Sequence, residues 1–420
     1  MKTLQHYIDG RWVSPIEPGS VFPVINPADE TQVAEIRMGS AADVELAVAA
    51  AHRAFASFAS TPLDERLEML RRLKAIFVRR IDEMADAITT EMGAPHDMSR
   101  DAQAASGPDH IEATLVAALQ LDWETRIGTS NVVREPVGVC GLVTPWNWPI
   151  NQIMAKVAPA IAAGCTVVLK PSEQAPLSAQ LVAEFIDEAK LPPGVFNMVH
   201  GTGPAVGHAM SAHPLIEMMS FTGSTRAGID VAKTAADTVK RVAQELGGKS
   251  ANIIFDTADV ERALDGALAG IFGNNGQQCL AGSRILVQRG IADALIERFV
   301  QRARKIRLGD PMLPSTEIGP LAFRQHMERV LSYVEVAKAD GATLLTGGRR
   351  SEQHEKGWFI EPTAVLAPHN DSRVCQEEIF GPFATFLVFD TLDEAIHIAN
   401  SSNFGLVTYV WSEEIGRAHV

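Results

Sequence analysis

Apolar residues recur along this chain with two periods, and the change from one to the other marks out its organisation. In the first third the spacing is helical. Ser40, with Asp43 three residues on, forms a capping box for a helix running to about Phe58, and after Pro62 the residues Leu67, Leu70, Leu73 and Phe77 share one face of a second helix. A third helix precedes Leu121. Ahead of them, residues 1–39 break into short β-type runs and turns, Tyr7 to Val13 and Val24 to Pro27, a lead-in rather than a domain. From Leu121 to Pro136 apolar density falls, which predicts a projecting hairpin. Such an arm contacts another subunit or is a mobile surface loop, and composition does not separate the two.

A regular alternation follows. It predicts strands from Val137 to Val143, Cys165 to Leu169, Val195 to Val199, Glu217 to Phe221 and Arg241 to Glu245, with helices from Gln152 to Ala163, Leu177 to Ala189, Pro204 to Ala212 and Ala227 to Ala236 between them. Short connections between such elements mean βαβ units and a parallel sheet, whose ligands sit beyond the carboxyl ends of the strands. After Gly247-Gly248 a second cycle begins at Asn252 to Phe255 and runs to the end. The expected fold class is therefore α/β: a Rossmann-like parallel-sheet domain from residues 1–120 and 140–247, a small projecting β-hairpin at 121–139, and a second α/β domain over 248–420.

Composition narrows the function. At 420 residues the chain exceeds one ordinary core, and a formal charge of -14 lacks the basic footprint that nucleic acid requires. Cys140, Cys165, Cys279 and Cys375 are too few and too scattered for a disulfide framework, and without a CxxC pair they suggest no metal site; a reducing cytoplasm fits. No apolar h-region follows Met1, and the longest apolar stretch, Val157 to Leu169, holds Pro159 and Gly164 and is too short to span a membrane.

One stretch stands apart: Gly276-Gln277-Gln278-Cys279-Leu280-Ala281-Gly282-Ser283-Arg284 sets a single thiol in a glycine-flanked turn between a helical run, Val260 to Phe272, and the β-type Ile285 to Val287. A free cysteine is more often a small buried hydrophobe, so this placement alone does not make a nucleophile. Four loops strengthen it. Thr222-Gly223-Ser224 leads a strand into a helix and offers backbone amides to an anion, although it is not the GxGxxG fingerprint; Gly201-Thr202-Gly203 with Gly207 comes near that fingerprint but has one residue too many, and is expected to be a tight turn. Lys170-Pro171-Ser172-Glu173 puts a charge pair at a strand end, where a carboxylate can accept both hydroxyls of a ribose and repel a 2′-phosphate. Thr144-Pro145-Trp146-Asn147-Trp148-Pro149 holds an amide able to donate to an oxyanion. Glu245-Leu246-Gly247-Gly248-Lys249 ends an apolar strand in a carboxylate, a setting that raises its pKa toward that of a general base. Each has a bland reading as a stiff loop or a solvated ion pair. Their shared position at strand carboxyl ends favours chemistry.

These residues carry a family pattern. Phe272-Gly273-Asn274-Asn275-Gly276-Gln277-Gln278-Cys279, Glu245-Leu246-Gly247-Gly248-Lys249 and Glu377-Glu378-Ile379-Phe380-Gly381-Pro382 resemble motifs of the NAD(P)-dependent aldehyde dehydrogenase superfamily, and the likeness covers essentially the whole chain. It implies an NAD-dependent enzyme that oxidises an aldehyde to a carboxylic acid through a cysteine thiohemiacetal and thioester. Cys279 would be the nucleophile, Glu245 the base for hydrolysis, Asn147 the oxyanion donor, and Lys156 a lysine near the centre. Cofactor contacts would fall on Thr144, Trp146, Lys170, Ser172, Glu173, Gly223, Ser224, Leu246, Glu378 and Phe380, and a substrate tunnel on Trp148, Gln152, Ala155, Gln278 and Leu280, with no metal. Glu173 favours NAD over NADP, and the glutamate at 245 favours water over coenzyme A as acyl acceptor. The first domain would bind NAD, residues 121–139 would be an oligomerisation hairpin of a homodimer or homotetramer, and residues 248–420 would be catalytic.

Two expectations run against this. Family members resembling this chain continue roughly sixty residues further, a length taken from the resemblance alone, and Ile415-Gly416-Arg417-Ala418-His419-Val420 matches one reading frame of a sequencing adapter. An unfinished catalytic domain, aggregation-prone through an unpaired edge, is expected from that, and with it the alternative of a non-catalytic or inactive fragment. A cysteine hydrolase would need a histidine partner for the thiol; no His neighbours Cys279 in sequence.

Overall fold

A computed structural model describes residues 2–17, 19–414 and 416, so of the run from Ile415 to Val420 only Gly416 lies within the described residues. The chain divides into two compact units: Met1–Asn26, Thr31–Glu91 and Asp97–Leu246 form the first, and Pro27–Glu30, Met92–His96 and Gly247–Val420 the second.

In the first unit β1 (Lys2–Leu4), β4 (Val21–Ile25) and β5 (Gln32–Arg37) make a small sheet in the order β1-β5-β4. The strands β2 (His6–Ile8) and β3 (Arg11–Val13) turn through Asp9-Gly10, both at positive φ (53° and 73°), as a two-residue hairpin requires. This hairpin is more than a lead-in. β2 pairs antiparallel with the strand Phe196–Met198 and extends the main sheet. The capping box at Ser40 and Asp43 opens the helix Ala41–Phe58, and Leu67, Leu70, Leu73 and Phe77 are buried along Leu63–Arg79. A further helix, Ile81–Met92, precedes the one at Ser106–Gln120. The arm at β6 (Glu124–Ile127) and β7 (Ser130–Val133) is a two-stranded hairpin with every strand residue exposed.

The main sheet is seven-stranded, in the order β12-β11-β8-β9-β10-β2-β3, from β8 (Val139–Val143), β9 (Thr166–Lys170), β10 (Phe196–Met198), β11 (Met218–Thr222) and β12 (Arg241–Glu245). Those five run parallel. Crossover helices are Pro149–Ala163, closed by Gly164 at φ 86°, then Pro176–Glu188, His208–Ala212 and Thr225–Ala236. The residues Gly203–Gly207 form a π-type turn capped by the Thr202 side chain. Val139, Val168, Val199 and Met219 are fully buried beneath Val44, Ala47 and Val48, each larger side chain contributing about 1.5–3 kcal/mol. β12 departs from expectation. It is the edge strand, and all its residues except Val242 are exposed, so the burial expected around Glu245 is absent.

The second unit holds a six-stranded sheet in the order β15-β16-β17-β14-β13-β18. Its strands are β13 (Ala251–Ile254), β14 (Arg284–Gln288), β15 (Thr343–Thr346), β16 (Thr363–Leu366), β17 (Phe383–Phe389) and β18 (Thr408–Trp411); only β15 is antiparallel. The helices Val260–Phe272 and Arg289–Ala303 cover it, and Phe299 meets Phe386 edge to face at 4.9 Å. The architecture is α/β with parallel sheets, as the alternation implied.

Candidate active site

In the first unit four neighbouring parallel strands, β12, β11, β8 and β9, deliver their carboxyl ends side by side. The strand order reverses between β8 and β11, the switch point where open α/β sheets bind ligands. The loops so aligned carry Glu245 and Leu246, then Gly223 and Ser224, then Thr144, Trp146, Asn147 and Trp148, then Lys170, Ser172 and Glu173.

Each loop is shaped by local chemistry. Ser224 is the N-cap of Thr225–Ala236, its hydroxyl accepting the Ala227 N–H at 3.4 Å, so the first amides of a twelve-residue helix face the strand ends. At Gly223 a Cβ would lie 2.7 Å from Phe221 Cζ, so a side chain there would have to displace that ring. Lys170 is buried, and its Nζ meets Glu173 Oε2 at 3.2 Å. Asn147 is buried in the loop entering Pro149–Ala163, and Trp148, Gln152, Ala155 and Lys156 follow on one accessible stripe of that helix. Burial draws the Lys156 ammonium below the usual lysine range, and the Glu245 carboxylate opposes that change.

Whether a dinucleotide suits these residues can be judged from what they leave uncommitted. Two buried hydroxyls, Thr144 Oγ1 after β8 and Thr222 Oγ1 at the end of β11, have no hydrogen-bond partner among the described residues. Beside them stand a helix N-terminus for a pyrophosphate and a Lys–carboxylate pair for a ribose. The donor set fits NAD. Thr222 enters the sequence analysis only as the head of the Thr222-Gly223-Ser224 loop, although a hydroxyl on the last residue of a strand at a ligand edge is a usable signal.

In the second unit Cys279 is partly accessible in the turn between Val260–Phe272 and β14, with Gln278 beside it and Leu280 exposed. Gln278 Nε2 donates to the Gly273 carbonyl at 2.6 Å and Tyr409 Oη to the Leu280 carbonyl at 3.0 Å. A Cβ on Gly248 would lie 2.7 Å from the Cys279 carbonyl oxygen, so glycine there lets the backbone approach the turn. The Gly248 N–H donates to Glu378 Oε1 at 3.0 Å, and a Cβ on Gly247 would collide with the same carboxylate. Burial raises the Glu378 pKa against that bond and against Lys249 and Arg329. Phe380 is held at φ 65°, its carbonyl 2.6 Å from His326 Nε2. A small cavity opens among Gly248, Gln278, Glu378 and Phe380. Among the described residues no group of three or more His, Cys, Asp or Glu could hold a metal ion, and no helix is long and apolar enough to cross a membrane.

Residues 12–420 match the model of the aldehyde dehydrogenase family. The chain is 48% identical over 416 residues to a 3-succinoylsemialdehyde-pyridine dehydrogenase of a Pseudomonas species, covering 99% of this chain and 87% of that protein. It is also similar to the crystal structure of a mutant aldehyde dehydrogenase C from Pseudomonas syringae in complex with NAD+ and octanal, at 44% identity and a TM-score of 0.97, over 99% of this chain and 86% of that one. A betaine aldehyde dehydrogenase from Staphylococcus aureus in complex with NAD+ matches at 37% identity and a TM-score of 0.96, over 99% and 84% of the two chains. Matches of this extent favour a catalyst over the alternative of a non-catalytic fragment.

Proposed function

Because this chain belongs to the aldehyde dehydrogenase family, we propose that it oxidises an aldehyde to a carboxylic acid with NAD, using Cys279 as nucleophile, Asn147 as oxyanion donor, Glu245 as base and Lys156 as the cation beside that base. The support that carries this reading is the alignment of Glu245, Ser224, Asn147 and Lys170 at four adjacent parallel strand ends, in a chain matched to the family over residues 12–420.

The Cys279 thiolate adds to the aldehyde carbon, and the oxyanion formed receives hydrogen bonds from the Asn147 amide and the Cys279 backbone N–H. Bound NAD supplies the acceptor for the two electrons and the hydrogen that the carbon loses as it becomes a thioester. Glu245 then removes a proton from water, the hydroxide adds to the thioester, and Cys279 leaves as thiolate with release of the carboxylic acid. Lys170, Ser172 and Glu173 hold the adenosine ribose; Thr144, Trp146, Gly223, Ser224 and Leu246 line the course of the pyrophosphate and nicotinamide. Glu378 accepts the second ribose and Phe380 stands by the ring. Trp148, Gln152, Ala155, Gln278 and Leu280 line the approach for the aldehyde. None of the five is cationic, which suits an aldehyde with an uncharged body, and the relatives named for a pyridine semialdehyde and crystallised with octanal accord with that.

The exposed β6–β7 hairpin is the surface through which subunits pair as a homodimer or homotetramer, and four free cysteines suit a cytoplasmic setting. The test is NADH formation from a panel of apolar and aromatic aldehydes. Turnover vanishes in Cys279→Ala, and persistence of NADH formation in that variant would remove the mechanism.

A further inference from the structure

Just ahead of Cys279 the backbone passes through three consecutive left-handed residues, Asn274 (φ 51°), Asn275 (φ 58°) and Gly276 (φ 75°). Glycine takes this conformation freely and asparagine tolerates it, but a run of three is not a local preference. Something outside the turn must hold it.

The Asn275 side chain does so. It is fully buried, and its Nδ2 donates to the Gly93 carbonyl at 2.8 Å and to the Pro320 carbonyl at 2.8 Å, while its Oδ1 accepts the Gly319 N–H at 2.7 Å. Both amide hydrogens and the oxygen are thus committed to backbone groups of two remote segments. Those segments are themselves fixed: a Cβ on Gly319 would lie 2.0 Å from the Gly93 oxygen, and Gly93 is at φ 77°. Beside it Asn274 Nδ2 donates to the Gln277 carbonyl at 3.1 Å, Gln278 bonds back to Gly273, and Gln277 Oε1 accepts the Ala322 N–H at 3.0 Å. Asn275 supplies the three-point anchor.

We infer that Asn275 is a positioning residue: its amide locks the left-handed turn and so fixes the direction in which the Cys279 sulfur and backbone N–H are presented. The inference rests on Cys279 being the nucleophile. An amide is needed because two carbonyls and one N–H converge on it; a carboxylate of the same shape would oppose the two carbonyls, and a longer or apolar side chain would leave backbone groups unpaired. Misplacing a reacting group by about 1 Å costs up to roughly 100-fold in rate, whereas none of the residues assigned to the cofactor lies in this turn.

Asn275→Gly keeps the left-handed backbone accessible while removing all three bonds. Its kcat is expected to fall roughly 10- to 100-fold with KM for NAD unchanged. The second-order rate of Cys279 alkylation by iodoacetamide falls in parallel, both per folded molecule by near-ultraviolet circular dichroism. Asn275→Asp, which keeps only the acceptor for the Gly319 N–H, falls at least as far. Wild-type alkylation and turnover in folded Asn275→Gly would overturn the inference, as would loss of folding in both variants, since that makes Asn275 a scaffold residue only. If Cys279→Ala still reduced NAD, the functional reading itself would fail; if Cys279→Ala is inactive and Asn275→Gly is normal, only the positioning role fails.

Discussion

Gly276→Ala is the sharpest test of how tightly the turn ahead of Cys279 is built. Two costs arise. A residue with a Cβ at φ 75° costs about 1–2 kcal/mol in backbone strain. The new methyl would also lie 2.1 Å from the Gly381 carbonyl carbon, with the Gly381 oxygen and Pro382 nitrogen as its next neighbours. Those are backbone atoms and cannot rotate away, so overpacking adds about 1–3 kcal/mol. Together roughly 2–5 kcal/mol is expected, which at ~2–4 °C per kcal/mol lowers Tm by about 4–20 °C. Because the displaced backbone is the one between Phe380 and β17, turnover should fall with stability. Differential scanning calorimetry alongside steady-state NADH formation reads both. Gly290→Ala is the internal control: nothing lies within 4 Å of its Cβ, and it sits in the helix Arg289–Ala303, so it should be neutral or slightly stabilising. A Gly276→Ala protein with Tm within about 1 °C of wild type and full activity would refute the account of the turn.

Two other outcomes are expected. His6 and His200 are buried, and burial lowers their pKa values to about 4 and about 3, with Asp43 opposing the change at His6, and His6 and then Lys170 reinforcing it at His200. Both folded values lie below the unfolded one, so their contribution is complete above pH ~6.5 and is lost as the pH falls below it, by about 2 kcal/mol for each group at pH 5. Tm should therefore drop between pH 8 and pH 5, and a His6→Gln/His200→Gln double variant should flatten that slope; an equally steep slope in the double variant would remove the histidines as the cause. Separately, Glu173→Gln removes the carboxylate paired with Lys170 at 3.2 Å and should shift the ratio of kcat/KM for NAD over that for NADP toward NADP by roughly tenfold, about 1.4 kcal/mol. An unchanged ratio would mean that Glu173 does not face the 2′ position.

The periodic parts of this chain were legible in advance. The capping box at Ser40, the stripe from Leu67 to Phe77 and the helix Val260–Phe272 follow directly from side-chain spacing. The four loops at the strand ends were visible for the same reason: a strand followed by glycine, proline or a charge marks its own carboxyl end. Some of the rest depends on partners distant in sequence. The hairpin of β2 and β3 looked like a lead-in because its place beside β10 is set by a pairing between Tyr7 and Met198. Helix Ile81–Met92 is hard to read from spacing although Met84, Ile88 and Met92 recur every fourth residue, because acids and threonines between them blur the stripe. Glu245 was expected to be buried, but Arg241 and Gln244 in the same strand already marked a solvated edge. The two asparagines before Gly276 belong to the family motif, and Asn-Asn-Gly is itself a signal for left-handed backbone.

The unit that carries Cys279 is assembled from three stretches of gene. Pro27–Glu30 and Met92–His96 leave the ribosome long before β13 does, yet the Pro27 carbonyl accepts the Trp358 N–H at 3.0 Å, Glu30 receives Arg324 at 2.8 Å, and Gly93 holds Asn275. An excised polypeptide begun at Gly247 would therefore be born without the Gly93 carbonyl that holds the turn ahead of Cys279. Reconstituting this enzyme from two separately expressed pieces would require a break that leaves those early residues able to rejoin the later half.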